Sequence, residues 1–345
     1  MRQYSVAIAG STGAVGAEFL RLLEERDFPI GRLRLLASSR SVGKEISFRG
    51  EILPVEELTA DSFRDIDIAF FSAGGSRSKE FAAPAIAAGA VVVDNSSAFR
   101  MTPTVPLVIP EVNGIDALEH QGLIANPNCS TIILLMALAP LMRLGALKRV
   151  VVSTYQAASG AGAQAMSELE EQNRALTEHR PVIKEVFPHQ IALNLFSHNT
   201  PIDDTGYNEE ERKMVNETRK ILHLPDLAVT ATCIRVPIPR AHSESVNVEF
   251  AGARPTVDAA RAALGTFPGV RVVDDREANY FPMPLDASGV DEVLVGRIRA
   301  DLSHPNGLEF FVAGDQILKG AALNGYQIAE YLIAHDAVRP KGARS

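Results

Sequence analysis

Over the first third of the chain, short and wholly apolar runs alternate with amphipathic stretches. Val6-Ala7-Ile8-Ala9, Ile68-Ala69-Phe70-Phe71 and Val91-Val92-Val93 lack the polar alternation of a strand with one wet face. They predict strands buried on both faces, as in a parallel sheet. Residues 32–37 add another strand, and residues 18–26 place Phe19, Leu20, Leu22 and Leu23 at helical spacing. Strand and helix alternating in this way predict a parallel sheet with helices on both faces.

After about Val150 the pattern changes. Longer, partly alternating strands are expected over 149–157, 228–239, 245–251, 292–301 and 308–313. Helical spacing appears over 163–176 and 256–264, and a final helix over 321–335 is expected to return to the first domain. The prediction is α/β: a Rossmann-like parallel-sheet domain, then an α+β domain with a mixed sheet. The first would take residues 1–128 plus about 316–345, the second residues 129–315. The boundary falls at a cysteine turn, so a cleft between the domains is expected to hold the thiol.

A length of 345 residues suits two domains, and 46% hydrophobic with 22% charged residues is ordinary for a soluble protein. The net charge of −8 disfavours nucleic acid and anionic membrane as partners. Two cysteines, Cys129 and Cys233, make no disulfide framework, and a reducing, cytoplasmic setting is expected. The N-terminus does not read as a signal peptide, and the apolar run over 132–141 is too short to span a bilayer. The tail after Arg339 is expected to fray.

The first strand leads into Gly10-Ser11-Thr12-Gly13-Ala14-Val15-Gly16. Glycines at such a turn let the backbone approach a pyrophosphate, and the helix N-terminus that follows attracts its charge. After the second strand, a binder of NAD usually offers Asp or Glu to the ribose 2′-hydroxyl. Here stand Ser38-Ser39-Arg40-Ser41, which suit a 2′-phosphate and favour NADP.

The segment Asn126-Pro127-Asn128-Cys129-Ser130-Thr131 lies between the apolar run Leu123-Ile124-Ala125 and a strongly helical one, Ile132 to Leu138. A strand would deliver Cys129 to the first turn of a helix, where unpaired N–H groups and the helix dipole favour a thiolate. Cys233, in the apolar run Ala231-Thr232-Cys233-Ile234, reads as a core residue.

An ordered series of motifs spans nearly the whole chain. It includes Gly10 to Gly16, Ser38-Ser39-Arg40-Ser41, Asp94 to Arg100, Ile109 to Asn113 and the Cys129 segment. It continues with Ser153 to Gly162, Glu210 to Lys213, Arg235-Val236-Pro237, His242-Ser243-Glu244, Val295 to Arg299 and Lys319 to Asn324. In this series the chain resembles the bacterial aspartate-semialdehyde dehydrogenases. The resemblance implies NADP(H)-dependent interconversion of aspartyl 4-phosphate and aspartate 4-semialdehyde, with inorganic phosphate as co-substrate or product and no metal. It places the chain in biosynthesis of lysine and diaminopimelate, threonine, methionine and isoleucine. It implies a homodimer or homotetramer built through the second domain.

The same resemblance implies the roles. Cys129 carries the acyl group, His242 is the acid/base, and Gln156 orients the substrate. Arg235 grips the α-carboxylate and Glu210 the amino group, while Arg100, Lys213 and Asn128 hold the phosphate. Thr12, Gly13, Ala14, Val15, Arg40, Ser41, Ser159, Gly160 and Gln316 line the cofactor. The chemistry fits the residue types: guanidinium pairs bidentately with carboxylate and phosphate, and a substrate ammonium needs a carboxylate.

On one straight strand, Arg235 and His242 would face opposite ways, so irregular backbone is expected near Pro237-Ile238-Pro239. Glu210 and Lys213, three apart, would share a helix face. Ser11 and Gln316 depart from the commoner alanine and asparagine of the family pattern. Two alternatives stand beside this reading. One is a sibling N-acetylglutamyl-phosphate reductase, whose acylated substrate amine gives Glu210 no charge to pair. The other is a non-catalytic NADP-binding paralogue.

Overall fold

The computed structural model describes residues 2–339; the tail beyond Arg339 lies outside the described residues. The chain forms two compact units. One runs to Asn128 and resumes at Ala321, and the other is Cys129–Gly320.

The first unit holds β1 (Tyr4–Ala9), β2 (Ile30–Ala37), β3 (Glu45–Phe48), β4 (Glu51–Glu57), β5 (Ile68–Phe71), β6 (Val91–Asp94) and β7 (Leu123–Ala125). They form one sheet in the order β3-β4-β2-β1-β5-β6-β7. Every pairing is parallel except β3 with β4 at one edge. Val6, Ile8, Ile68, Phe70, Val91 and Val92 are fully buried, which is why their runs carry no alternation. The β3–β4 hairpin was not anticipated: its short, charge-interrupted strands carry little apolar signal; β3 is the edge strand, while β4 pairs with both β3 and β2.

Helices α1 (Ala14–Glu25), α2 (Gly75–Ala87), the single turn α3 (Pro110–Asn113) and α9 (Leu323–Ala334) complete this unit. α1 starts four residues before its apolar stripe because the glycine turn leads straight into it; Gly13 is its extended N-cap. α9 packs on α1, with Gly325 so close that a Cβ there would stand 2.8 Å from the Phe19 ring.

The second unit holds β8 (Leu147–Gln156), β9 (Phe196–Ser197), β10 (Ala228–Arg235), β11 (His242–Phe250), β12 (Val270–Val272), β13 (Val293–Ala300) and β14 (Gly307–Gly314). The sheet order is β12-β13-β14-β11-β8-β10-β9. It is mixed: β8 with β10 and β12 with β13 are parallel, the rest antiparallel. Helices α4 (Cys129–Met142), α5 (Ala163–Thr177), α6 (Glu209–Ile221), α7 (Val257–Gly265) and the turn α8 (Pro284–Ala287) accompany it. α4 touches α6, α7, β13 and β14. It is apolar all round, and every residue from Ser130 to Leu138 is buried, as such a helix requires.

The strand expected over 228–239 ends at Arg235, and β11 begins at His242. Pro237 and Pro239 carry no N–H for a ladder, and Ala241 adopts a left-handed φ of 70°. Arg235 and His242 therefore stand on two strands with β8 between them, not on one bulged strand.

Candidate active site

Cys129 is the first residue of α4 and is half-buried, whereas Cys233 on β10 is fully buried. Gly320 passes close to Cys129: a Cβ there would stand 2.9 Å from the Cβ of Cys129. Only a glycine allows backbone to pass so near the thiol-bearing residue.

Three adjacent strands hold the other chemical groups. Gln156 closes β8, Arg235 lies opposite it at the end of β10, and His242 opens β11 on the far side. All three are nearly or wholly buried. The Gln156 amide donates to Ser130 Oγ at 2.6 Å and to Glu210 Oε1 at 3.1 Å. Its Oε1 is buried without a hydrogen-bond partner among the described residues.

The Ala157 N–H donates to His242 Nδ1 at 3.0 Å. That bond assigns the proton of the neutral ring to Nε2, which is buried and unpartnered among the described residues. Burial first, and the Arg235 guanidinium second, hold His242 well below the ordinary histidine value. Arg235 Nη1 donates to Ala157 O at 2.8 Å, and Nη2 lies 2.7 Å from His198 Nε2. Glu210, Cys129 and Cys233 are its electrostatic neighbours. Gly160 fits against both clusters: a Cβ there would stand 3.0 Å from Arg235 Nη1 and 3.1 Å from His242 Nε2.

Glu210 and Lys213 share a face of α6 as their spacing predicts. Glu210 is buried; Lys213 Nζ lies 3.4 Å from its Oε2 and 2.9 Å from Glu209 Oε1. Gln316 is committed to protein partners. Its Oε1 accepts from the Ala241 N–H at 2.8 Å, and its Nε2 donates to Ser159 Oγ. It thus braces the left-handed residue directly before His242.

In the first unit, Gly10 and Gly16 are required by contact. A Cβ on Gly10 would stand 2.5 Å from Ser72 O, and one on Gly16 would stand 2.2 Å from Gly10 O. Beside them lies a cleft of about 390 Å³, lined by Gly10, Thr12, Gly13, Arg40 and their neighbours. Ala14 and Val15 open α1, and Thr12 Oγ1 lies 3.5 Å from Ser41 Oγ. The cradle sits where β1 has β2 on one side and β5 on the other, at the strand ends where such sheets bind nucleotides. Arg100 is buried in the same unit and donates to Asn126 O at 2.9 Å and Asn95 O at 3.0 Å. Asn128 is also buried.

Several residues near these sites had no signal in the sequence. His198 sits in a short polar loop without periodicity. Gly320 is one of 25 glycines. Glu57 and Arg77 line the nucleotide cleft, and Glu57 arrives there because β4 pairs with β2, placing it opposite Ala37. Glu244, two residues after His242, is fully buried, and neither of its carboxyl oxygens has a hydrogen-bond partner among the described residues.

Residues 5–120 match the semialdehyde dehydrogenase NAD binding domain, and residues 138–319 match the semialdehyde dehydrogenase dimerisation domain. A dinucleotide-type sheet followed by a thiol-bearing mixed-sheet unit is thus that of a semialdehyde dehydrogenase. An aspartate-semialdehyde dehydrogenase of Synechocystis is 56% identical over 95% of this chain and 97% of its own length. The crystal structure of aspartate semialdehyde dehydrogenase II from Vibrio cholerae, complexed with ASA, superposes with a TM-score of 0.94. It is 42% identical, over 97% of this chain and 99% of that one. The Candida albicans aspartate semialdehyde dehydrogenase solved with NADP gives a TM-score of 0.77 at 25% identity, over 97% of this chain and 100% of that one. The chain belongs to the aspartate-semialdehyde dehydrogenase family.

Proposed function

We propose that this protein reduces L-aspartyl 4-phosphate to L-aspartate 4-semialdehyde with NADPH, reversibly, in the synthesis of the aspartate family of amino acids. The observation that carries the reading is the grouping of Gln156, Arg235, His242 and Glu210 in the unit whose first helix opens with Cys129.

Cys129 Sγ attacks the acyl carbon as thiolate, the carbon–oxygen bond to phosphate breaks, and inorganic phosphate leaves behind a thioester. NADPH, when bound, supplies the hydride for reduction. Its fit is supported by the glycine cradle and by the Ser38–Ser41 segment with Arg40, which favour a 2′-phosphate. Reduction turns the thioester into a hemithioacetal on Cys129. The oxyanion so formed accepts a hydrogen bond from His242 Nε2–H, and its collapse breaks the carbon–sulfur bond, returning Cys129 as thiolate while the aldehyde leaves. The Gln156 Oε1, buried and unpartnered among the described residues, is an acceptor for a substrate N–H.

Arg235 takes the α-carboxylate and Glu210 the ammonium. Arg100, Lys213 and Asn128 take the phosphate. The remaining cofactor contacts fall to Thr12, Gly13, Ala14, Val15, Arg40, Ser41, Ser159 and Gly160. Gln316 acts indirectly, through Ala241 and Ser159. The working protein is cytoplasmic and a homodimer or homotetramer; assembly through the second unit is supported by the dimerisation-domain match.

The test is reduction of NADP⁺ with aspartate semialdehyde and phosphate, run beside N-acetylglutamate semialdehyde. Turnover of the first only is expected. Turnover of the second only would overturn the assignment in favour of the reductase. The Cys129→Ala variant is expected to lose turnover while still binding NADP.

A further inference from the structure

His198 is the second histidine of the site, and nothing in the proposed chemistry uses it. It follows the short edge strand β9 and is held at three points. Its backbone N–H donates to Cys233 O at 2.8 Å, which fixes the loop to β10. Its ring Nδ1 lies 3.2 Å from Thr200 Oγ1, and its Nε2 lies 2.7 Å from Arg235 Nη2. A guanidinium can only donate, so Nε2 must accept, and the proton of the neutral ring sits on Nδ1, facing the threonine hydroxyl. The ring is kept neutral by burial, which lowers it to about 4; Arg235 and Lys213 push the same way, and Glu210 and Glu209 oppose them.

The threonine hydroxyl has a second role. Thr200 Oγ1 accepts the backbone N–H of Glu210 at 3.2 Å, in the first turn of α6. One short loop therefore braces Arg235 at one end and the backbone of Glu210 at the other. Among the described residues Arg235 has one other strong hydrogen-bond anchor, the Ala157 carbonyl; Asn199 Oδ1 lies further off, at 3.4 Å. An anchor on each terminal nitrogen fixes the plane of the guanidinium, and a carboxylate is gripped bidentately only if that plane is set.

We propose that His198 is a positioning residue for the carboxylate clamp: a neutral imidazole, oriented by Thr200, that holds the Arg235 guanidinium in its substrate-binding plane. The inference rests on Arg235 being that clamp. His198 touches neither thiol nor cofactor in this role. Its loss weakens substrate binding equally in ground and transition states, so it raises KM and spares kcat.

The experiment compares His198→Phe, His198→Gln and Arg235→Lys in the full-length enzyme, with melting temperatures measured alongside. Phenylalanine keeps the ring but offers no acceptor; glutamine restores one in its amide oxygen. His198→Phe is expected to raise the KM for aspartate semialdehyde by about 10-fold or more, with kcat and the KM for NADP⁺ within about threefold. His198→Gln is expected to recover most of that loss. Should the phenylalanine variant not fold, His198→Leu takes its place. An unchanged KM in His198→Phe, or a glutamine variant as impaired as it, while Arg235→Lys raises KM strongly, overturns the role of His198 alone. An unchanged KM in Arg235→Lys overturns the clamp itself, and the inference with it.

Discussion

Gly320 and Cys129 are in backbone-to-side-chain contact so close that no larger residue fits at position 320. A Cβ there would stand 2.9 Å from Cys129 Cβ and 3.3 Å from Gln316 Cβ. Gly320→Ala must push either the thiol-bearing helix start or the Gln316 turn. Displacements of about 1 Å at a reacting atom cost on the order of 100-fold in rate. A fall of about that size in kcat is expected, with the far-ultraviolet circular dichroism unchanged. Steady-state kinetics on the folded variant checks it; wild-type kcat would show that the turn yields freely.

The two thiols should differ sharply toward iodoacetamide. Cys129 is half-buried at a helix start, while burial pushes the Cys233 thiol far above its ordinary range, with Glu210, Glu211 and Glu244 adding to the effect. Peptide mapping after brief alkylation at pH 7 is expected to find Cys129 modified and Cys233 intact. Equal labelling would refute the contrast.

Glu244 bears on stability. It lies opposite Thr154 on β8, and Thr154 lies opposite Cys233, so a carboxyl and a thiol share one row of the sheet interior. Burial raises the Glu244 carboxyl well above the usual range, so the folded state keeps a proton that the unfolded chain releases. Its contribution is complete at acid pH and is lost as pH rises from the ordinary carboxylate range toward the folded value. Each unit of pH within that window costs about 1.4 kcal/mol. Glu244→Gln cannot titrate, so its melting temperature is expected to exceed that of the wild type at pH 8 and to converge with it near pH 4. Parallel melting curves at both pH values check the sign.

At the nucleotide cleft, Arg40→Ala is expected to raise the KM for NADP⁺ by about 10-fold to 100-fold, in line with loss of a charge-assisted pair, and to leave the KM for NAD⁺ nearly unchanged. Equal changes for both nucleotides would place Arg40 away from the 2′-phosphate. Glu57, lining the same cleft, sharpens the measurement, because a carboxylate there offers a partner to an unphosphorylated ribose.

The legible part of this protein was the part written in periodicity and turn chemistry. Val6 to Ala9, the glycines at 10, 13 and 16 and the run after Cys129 each state their own local structure. The irregular link between Arg235 and His242 followed from its prolines, but its consequence did not. That β8 would run between the two depends on long-range pairing, which no local pattern encodes. His198, Gly320 and Glu57 were illegible for the same reason: each matters through a neighbour more than fifteen residues away. Glu210 lies in the charged run Glu209 to Lys213, whose spacing alone does not tell a solvated face from a buried one; packing buries Glu210.

The helix that begins with Cys129 has no solvent face from Ser130 to Leu138. A segment so enclosed cannot fray or open by itself, because any opening exposes apolar surface on every side. Its amides should exchange with deuterium only when the whole second unit comes apart. The reactive thiol is then a sentinel of global integrity: the enzyme should not pass through a partly loosened form that has lost this nucleophile's setting alone, and catalytic competence and cooperative unfolding should end together.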